Sequence, residues 1–235
     1  MYHRVVDGAQ SAQFLETSKN GEPGQPVNAM SASVTFSLKP VPSFRLDLTA
    51  WALRRRPSNV IDRGDGQTYR RALVLNSNPA EVAVAQSGPP NSPRLLGLRI
   101  NLAEFYQRAA GQPKLGALVQ RFCGFKPQRL PMVFEALANA IACQQMSLSL
   151  GILLLNRITE KFGVAVEGTA GIAHAFPQPE DLADLELTAF RQLGFSRQKG
   201  RSLIALARTC VDGRVDLEAL ADLNDKATTE RWLEV

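Results

Sequence analysis

Apolar positions along this 235-residue chain follow two rhythms, and the change falls near Asn101. From Ser33 to Lys39, Val34, Phe36 and Leu38 alternate with polar neighbours, the period of a half-buried strand. Pro40 and Pro42 break it, and Phe44 to Leu53 then places Phe44, Leu48, Trp51 and Ala52 on one side of a helix. Arg54-Arg55-Arg56 closes that helix before Pro57, where positive charge suits the helix C-terminus. Asn59 to Asp62 and Gln67 to Leu75 flank Arg63-Gly64-Asp65-Gly66, an Asp-Gly hairpin signal. Glu81 to Gln86 and Leu95 to Ile100 read as further short strands. Residues 31–100 are thus expected to form a small antiparallel sheet domain with one helix. Residues 1–30, rich in Ser, Gly, Asn, Gln and Pro between Gln10 and Asn28, are expected to be a disordered tail.

Beyond Asn101 the period is helical. Leu102 to Ala110 and Leu115 to Cys123 predict short helices separated by Gly111-Gln112-Pro113. Pro131 suits a first helical position, and Phe134, Leu137, Ala138 and Ile141 mark one buried face. Cys143-Gln144-Gln145-Met146-Ser147 interrupts, and a second apolar helix starts at Leu148, with Ser147 suited to cap it and Gly163 to end it. Val164 to Pro177 reads as a loop. Pro179-Glu180-Asp181 opens a short helix, and Leu187, Phe190 and Leu193 form the face of the next. After Gly194-Phe195-Ser196, a helix capped by Ser196 carries Leu203, Ile204, Leu206 and Ala207. Leu217 to Leu223 and Ala227 to Val235 finish the chain. The fold class is α+β, a sheet domain followed by an all-α domain over residues 101–235.

Composition narrows the function. With 45% apolar and 21% charged residues, the chain has the make-up of an ordinary globular protein. No apolar run approaches the ~18 residues that would span a bilayer, and no apolar signal region opens the chain. Three dispersed cysteines make neither a disulfide framework nor a Cys-x-x-Cys metal pattern, which points to a reducing cytoplasm. His3 and His174 are the two histidines, too few for a multi-histidine metal centre or a histidine-based triad, and His174 is expected in a surface loop. The net charge of +5 hides an asymmetry: residues 31–129 carry 15 cationic and 5 acidic side chains, a net of +10, whereas residues 130–235 carry a net of −4. A basic half suggests a polyanion, nucleic acid before membrane, unless its arginines are paired with local acids.

Two spots attract chemistry. Gln144 and Gln145 stand between apolar helices, so their amides either bond to loop backbone or face something outside. Arg197, Lys199 and Arg201 surround the start of a helix, a reasonable phosphate site or simply a solvated basic turn. Asp181, Asp184, Asp212 and Asp216 fall at helix boundaries, where carboxylates serve as caps more often than as catalysts.

The segment VFEALANAIACQQMSLSLGILLLNRITEKFG resembles the central helices of the helix-hairpin-helix DNA glycosylases, within them the 3-methyladenine DNA glycosylase II branch. FPQPEDLADLELTAFRQLGFSRQKGRSLIALAR is similar to the part that follows, and FRLDLTAWALRRRPSNVIDRGDGQTYRRAL to the preceding sheet domain. The resemblance implies removal of alkylated bases from double-stranded DNA by base flipping and hydrolysis of the N-glycosidic bond, without cofactor or metal, by a monomer associated with the nucleoid. By motif position Gln145 would be the wedge that fills the vacated stack, with Gln144 and Ser147 supporting the loop, and Gly194, Ser196, Arg197 and Lys199 would complete the DNA-binding set. The family's glycine-rich hairpin and catalytic aspartate would lie beyond Val235, so the resemblance nominates no catalytic residue here and implies little excision by this chain alone. A non-catalytic DNA-binding module is the alternative. A third reading is an unstable fragment exposing Trp232, Leu233 and Val235.

Overall fold

The structure, a computed structural model, describes residues 12–18, 32–35, 40–41, 43–75, 77–86, 100–127 and 130–217. The described chain is α+β and divides into two compact units. One comprises residues 1–55, 62–71 and 80–129, the other residues 56–61, 72–79 and 130–235.

A five-stranded sheet has the order β2-β1-β5-β4-β3, formed by Ala32–Val34, Ala12–Ser18, Asn78–Gln86, Thr68–Leu75 and Arg63–Gly64. β1 pairs antiparallel with both neighbours, Glu16 facing Val34 on one side and Val82 on the other. β1 lies within residues 1–30, expected as a disordered tail, and no alternation predicts it; the two ladders it joins make it a strand. The Asp65-Gly66 hairpin forms as expected. Gly66 takes φ 92°, a left-handed conformation that glycine adopts without steric cost, and Asp65 Oδ1 accepts the N–H groups of Gln67 and Thr68 at 2.9 and 2.7 Å. Its first arm is only Arg63–Gly64, not Asn59 to Asp62, because Asn59 uses its side chain to accept the Ile61 N–H and holds that stretch in a bend. The strand expected over Leu95 to Ile100 lies outside the described residues except for Ile100, which is not in a strand.

α1, Leu46–Arg54, buries Leu46, Thr49, Ala52 and Leu53, while Trp51 is 66% exposed. Trp51 therefore does not share the buried face. Thr49 occupies it because its hydroxyl donates back to Arg45 O, which satisfies the polar atom. α2, Ala103–Ala110, and α3, Pro113–Phe122, follow with Pro113 in the first turn of α3. With Trp51 they wall an open apolar groove of about 560 Å³. Among the described wall residues Tyr106 is titratable, and its hydroxyl accepts the Gly124 N–H and donates to Phe125 O.

In the second unit, α4, Val133–Cys143, and α5, Leu148–Phe162, are the expected apolar pair. Pro131 precedes the helix instead of starting it, since Met132 is still extended. Phe134, Ala138, Ala142, Leu154, Leu155 and Ile158 enter a core completed by residues of α6, Pro179–Ala183, α7, Leu187–Gln192, and α8, Arg197–Val211. The stretch expected as a loop after α5 holds a hairpin, β6, Ala165–Gly168, and β7, Gly171–His174. His174 is half-buried on β7 rather than in a surface loop. Gly163 ends α5 with φ −78°, so it is not needed for a left-handed cap. A Cβ there would collide with Ala175 O, and close backbone approach is what requires glycine.

Asn156, buried on α5, ties residues 56–61 to the helices: its amide donates to Ser58 O at 2.6 Å and its oxygen accepts the Val60 N–H at 3.2 Å. The helices expected from Leu217 to Val235 lie outside the described residues apart from Leu217.

Candidate nucleic-acid interface

The turn between α4 and α5 is short because α4 and α5 approach closely where they meet it. A Cβ on Gly151 would lie 2.5 Å from Cys143 Sγ, so only glycine lets the end of α4 lie against the start of α5. Ser147 caps α5, its hydroxyl accepting the Leu150 N–H at 3.3 Å. Between these points Gln144 has φ −60° and ψ 132°, and Gln145 has φ 54°. Those angles belong to a type II turn, whose third position is normally glycine. Gln145 is one of three non-glycine residues with positive φ among the described residues. Holding an L-residue there costs roughly 1–2 kcal/mol. Both glutamine side chains are exposed, so the amides face outward rather than into a buried local network.

The second candidate segment lies beside the first. Gly194, φ 97°, turns the chain between α7 and α8, and Ser196 caps α8 by accepting the Lys199 N–H at 3.3 Å. The N–H groups of Arg197 and Gln198 fall in the first turn of α8, where a helix leaves its donors without intrahelical acceptors and its dipole is positive. Ser196, Arg197 and Arg201 are exposed. Lys199 is half-buried, and its ammonium donates to Ala142 O at 2.8 Å and Gln144 O at 2.7 Å. It therefore bridges to the end of α4, 55 residues away, instead of projecting as a surface phosphate ligand. Burial pushes its pKa below the ordinary lysine value, with the nearby Cys143 thiol acting in the opposite direction.

Arg157 on α5 is the residue that sequence pattern missed. Its guanidinium donates to Leu193 O at 2.9 Å, and the absence of a Cβ on the adjacent Gly194 leaves room for it, with Nη1 at 3.0 Å from where that atom would be. Nothing local marks Arg157, since its acceptor is 36 residues away. All seven predicted binding residues, Gln144, Gln145, Ser147, Gly194, Ser196, Arg197 and Lys199, thus belong to two turns linked by Lys199. The aspartates at helix boundaries behave as caps or remain exposed: Asp181 accepts the Gln178 N–H at 2.7 Å, and Asp212 pairs with Arg214 at 2.9 Å. No cluster of three metal-ligating side chains occurs among the described residues.

Residues 138–235 match the model of the HhH-GPD superfamily base excision DNA repair proteins, a span that starts within α4 and takes in both turns. This stretch is similar to the HhH-GPD superfamily. The chain is 27% identical over 135 residues to a DNA-3-methyladenine glycosylase of Bacillus subtilis (strain 168), covering 57% of this chain and 45% of that protein. It is also similar in structure to the 3-methyladenine DNA-glycosylase from Archaeoglobus fulgidus, with a TM-score of 0.65 and 25% identity over 83% of this chain and 73% of that one. The Clostridium acetobutylicum 8-oxoguanine glycosylase/lyase shares the fold, with a TM-score of 0.58 and 18% identity over 74% of this chain and 64% of that one. The chain spans less than half the length of the curated relative it matches. The matched span contains both candidate segments, the exposed two-glutamine turn and the basic helix start.

Proposed function

We propose that this chain is the base-probing part of a DNA glycosylase that removes alkylated bases of the 3-methyladenine type from double-stranded DNA. The observation that carries this reading is Gln145, an exposed side chain held at positive φ on the tip of a turn beside a helix N-terminus. Strain of that kind survives only where the surroundings enforce it, and it belongs with function more often than with packing. In the proposed complex, the first turn of α8 and Arg197 hold a phosphate, and Gln145 enters the stack as the damaged nucleotide leaves it. Gln144 and Ser147 support the loop. An alkylated purine is cationic, already a good leaving group, and can be selected by stacking and cation–π attraction. Preferential binding to duplexes with an extruded or abasic site is the expected behaviour.

The test is binding to duplexes with and without an abasic-site analogue, alongside release of alkylated bases. Gln145→Ala is expected to lower affinity for the abasic duplex by about tenfold, near 1.4 kcal/mol, while the melting temperature changes little. Equal affinity of wild type and variant for both duplexes would remove Gln145 from the role of wedge.

A further inference from the structure

We propose that Lys199 is a positioning residue for base extrusion, which holds the Gln144–Gln145 peptide in the orientation that presents Gln145 outward. This inference rests on the reading of Gln145 as the wedge. A type II and a type I turn differ mainly by a rotation of their central peptide through about 180°. Here that peptide joins Gln144 C=O to Gln145 N–H, and its present orientation forces Gln145 to φ 54°. A glutamine at that position favours the flipped form, in which it would return to negative φ. Something must select the strained orientation. The Lys199 ammonium does so directly, because it donates to Gln144 O, the oxygen that would swing away on flipping.

The second bond of Lys199, to Ala142 O, anchors the ammonium to the last turn of α4. There the helix leaves carbonyls without intrahelical partners, and its dipole favours a cation. Lys199 sits in the first turn of α8, whose backbone is capped by Ser196. Any phosphate gripped by the start of α8 would therefore be registered, through one side chain, to the peptide that aims Gln145. Lysine rather than a shorter residue is required, since the acceptors are on another helix. Arginine could also bridge two carbonyls through its fork of donors.

Four versions of the 235-residue chain discriminate the outcomes: Gln145→Ala, Lys199→Met, Lys199→Arg and the double Gln145→Ala/Lys199→Met. The measured quantity is the ratio of affinities for a duplex carrying a tetrahydrofuran abasic analogue and the same duplex intact, with circular dichroism melts as the check on folding. Lys199→Met is expected to lower this ratio by about fivefold or more, approaching Gln145→Ala, and the double variant to be no worse than either single change. Lys199→Arg is expected to restore most of the ratio. If Gln145→Ala abolishes discrimination while a folded Lys199→Met keeps it, Lys199 is only a structural staple and the inference fails with the wedge intact. If Gln145→Ala changes nothing, the wedge reading fails and the positioning role falls with it. Should Lys199→Met not fold, Lys199→Gln, too short to bridge both carbonyls, takes its place: a folded Lys199→Gln that discriminates no better than Gln145→Ala supports the role, and one that discriminates like wild type leaves only the staple.

Discussion

At the scale of single residues, backbone geometry separates glutamines and aspartates that look equivalent in the chain. Asp65 acts locally, within its own hairpin. The Thr68 and Gln67 N–H groups, with a smaller effect from Arg70, lower its pKa from 3.8 to about 2. A carboxylate whose folded pKa lies below its unfolded value stabilises the fold above the unfolded value, and the contribution disappears as pH falls through the folded one. The window is therefore from about pH 4 down to about pH 2. Asp65→Asn keeps an oxygen acceptor but cannot titrate. The melting temperature of the wild type relative to Asp65→Asn should fall across that window and stay level above pH 5. A constant difference throughout would show that Asp65 does not couple to the hairpin. The effect will be small, because the side chain is 56% exposed and solvent screens it.

Among elements, the meeting of α4 with α5 sets where the glutamine turn can be. Gly151 permits that approach, and the sulfur of Cys143 fills the space its missing side chain leaves. Gly151→Ala should lower stability by about 1–3 kcal/mol, the usual effect of overfilling a packed contact. Cys143→Ala in the same molecule removes the sulfur at 2.5 Å and should recover part of the loss, though the Cys143 Cα at 3.1 Å remains. Chemical denaturation of the two single variants and the double gives the coupling directly; strict additivity would mean that the two sites do not touch. Helix boundaries here follow local chemistry well. Ser147 and Ser196 cap α5 and α8 through their hydroxyls, as their positions in the chain predict. The hairpin β6–β7 is not visible in the same way, because Ala165 to His174 has little apolar alternation and its burial comes from Val166, Ala173 and Ala175 meeting Ala72.

For the molecule as a whole, charge is the property most directly open to measurement. Each of the five carboxylates between residues 31 and 129 engages an arginine: Asp47 with Arg45, Asp62 with Arg71, Asp65 with Arg70, Glu81 with Arg63 and Glu104 with Arg108. Local pairing, the plainer explanation of the basic half, is therefore real, yet the net of +10 is what remains after every acid of this stretch is matched. The Asp62–Arg71 pair is buried with Tyr69, whose hydroxyl donates to Asp62 at 2.6 Å, and serves the fold rather than a ligand. Duplex affinity should fall steeply with salt through counterion release, and Arg197→Gln should flatten the log–log slope by about 1. A slope unchanged by Arg197→Gln would take that arginine off the phosphate backbone. Among the described residues no helix is long and apolar enough to cross a membrane.

By itself the sequence determined the change from alternating to helical period, the turn at Asp65-Gly66, the serine caps, and the two segments proposed for binding. These are local properties, set by side-chain periodicity and by hydroxyl or glycine chemistry within a few residues. Tertiary structure decided what those segments do to one another. Lys199 reads in the chain as one of three basic residues at a helix start, and only the packing of α8 against α4 turns its ammonium onto Ala142 and Gln144. Trp51 fits a helical stripe yet points outward, because the buried side of α1 is chosen by what packs against it. Gln145 carries no sequence mark of a left-handed backbone, as a glycine would. Its conformation comes from a turn confined between two closely packed helices and held by a cation 54 residues further along the chain.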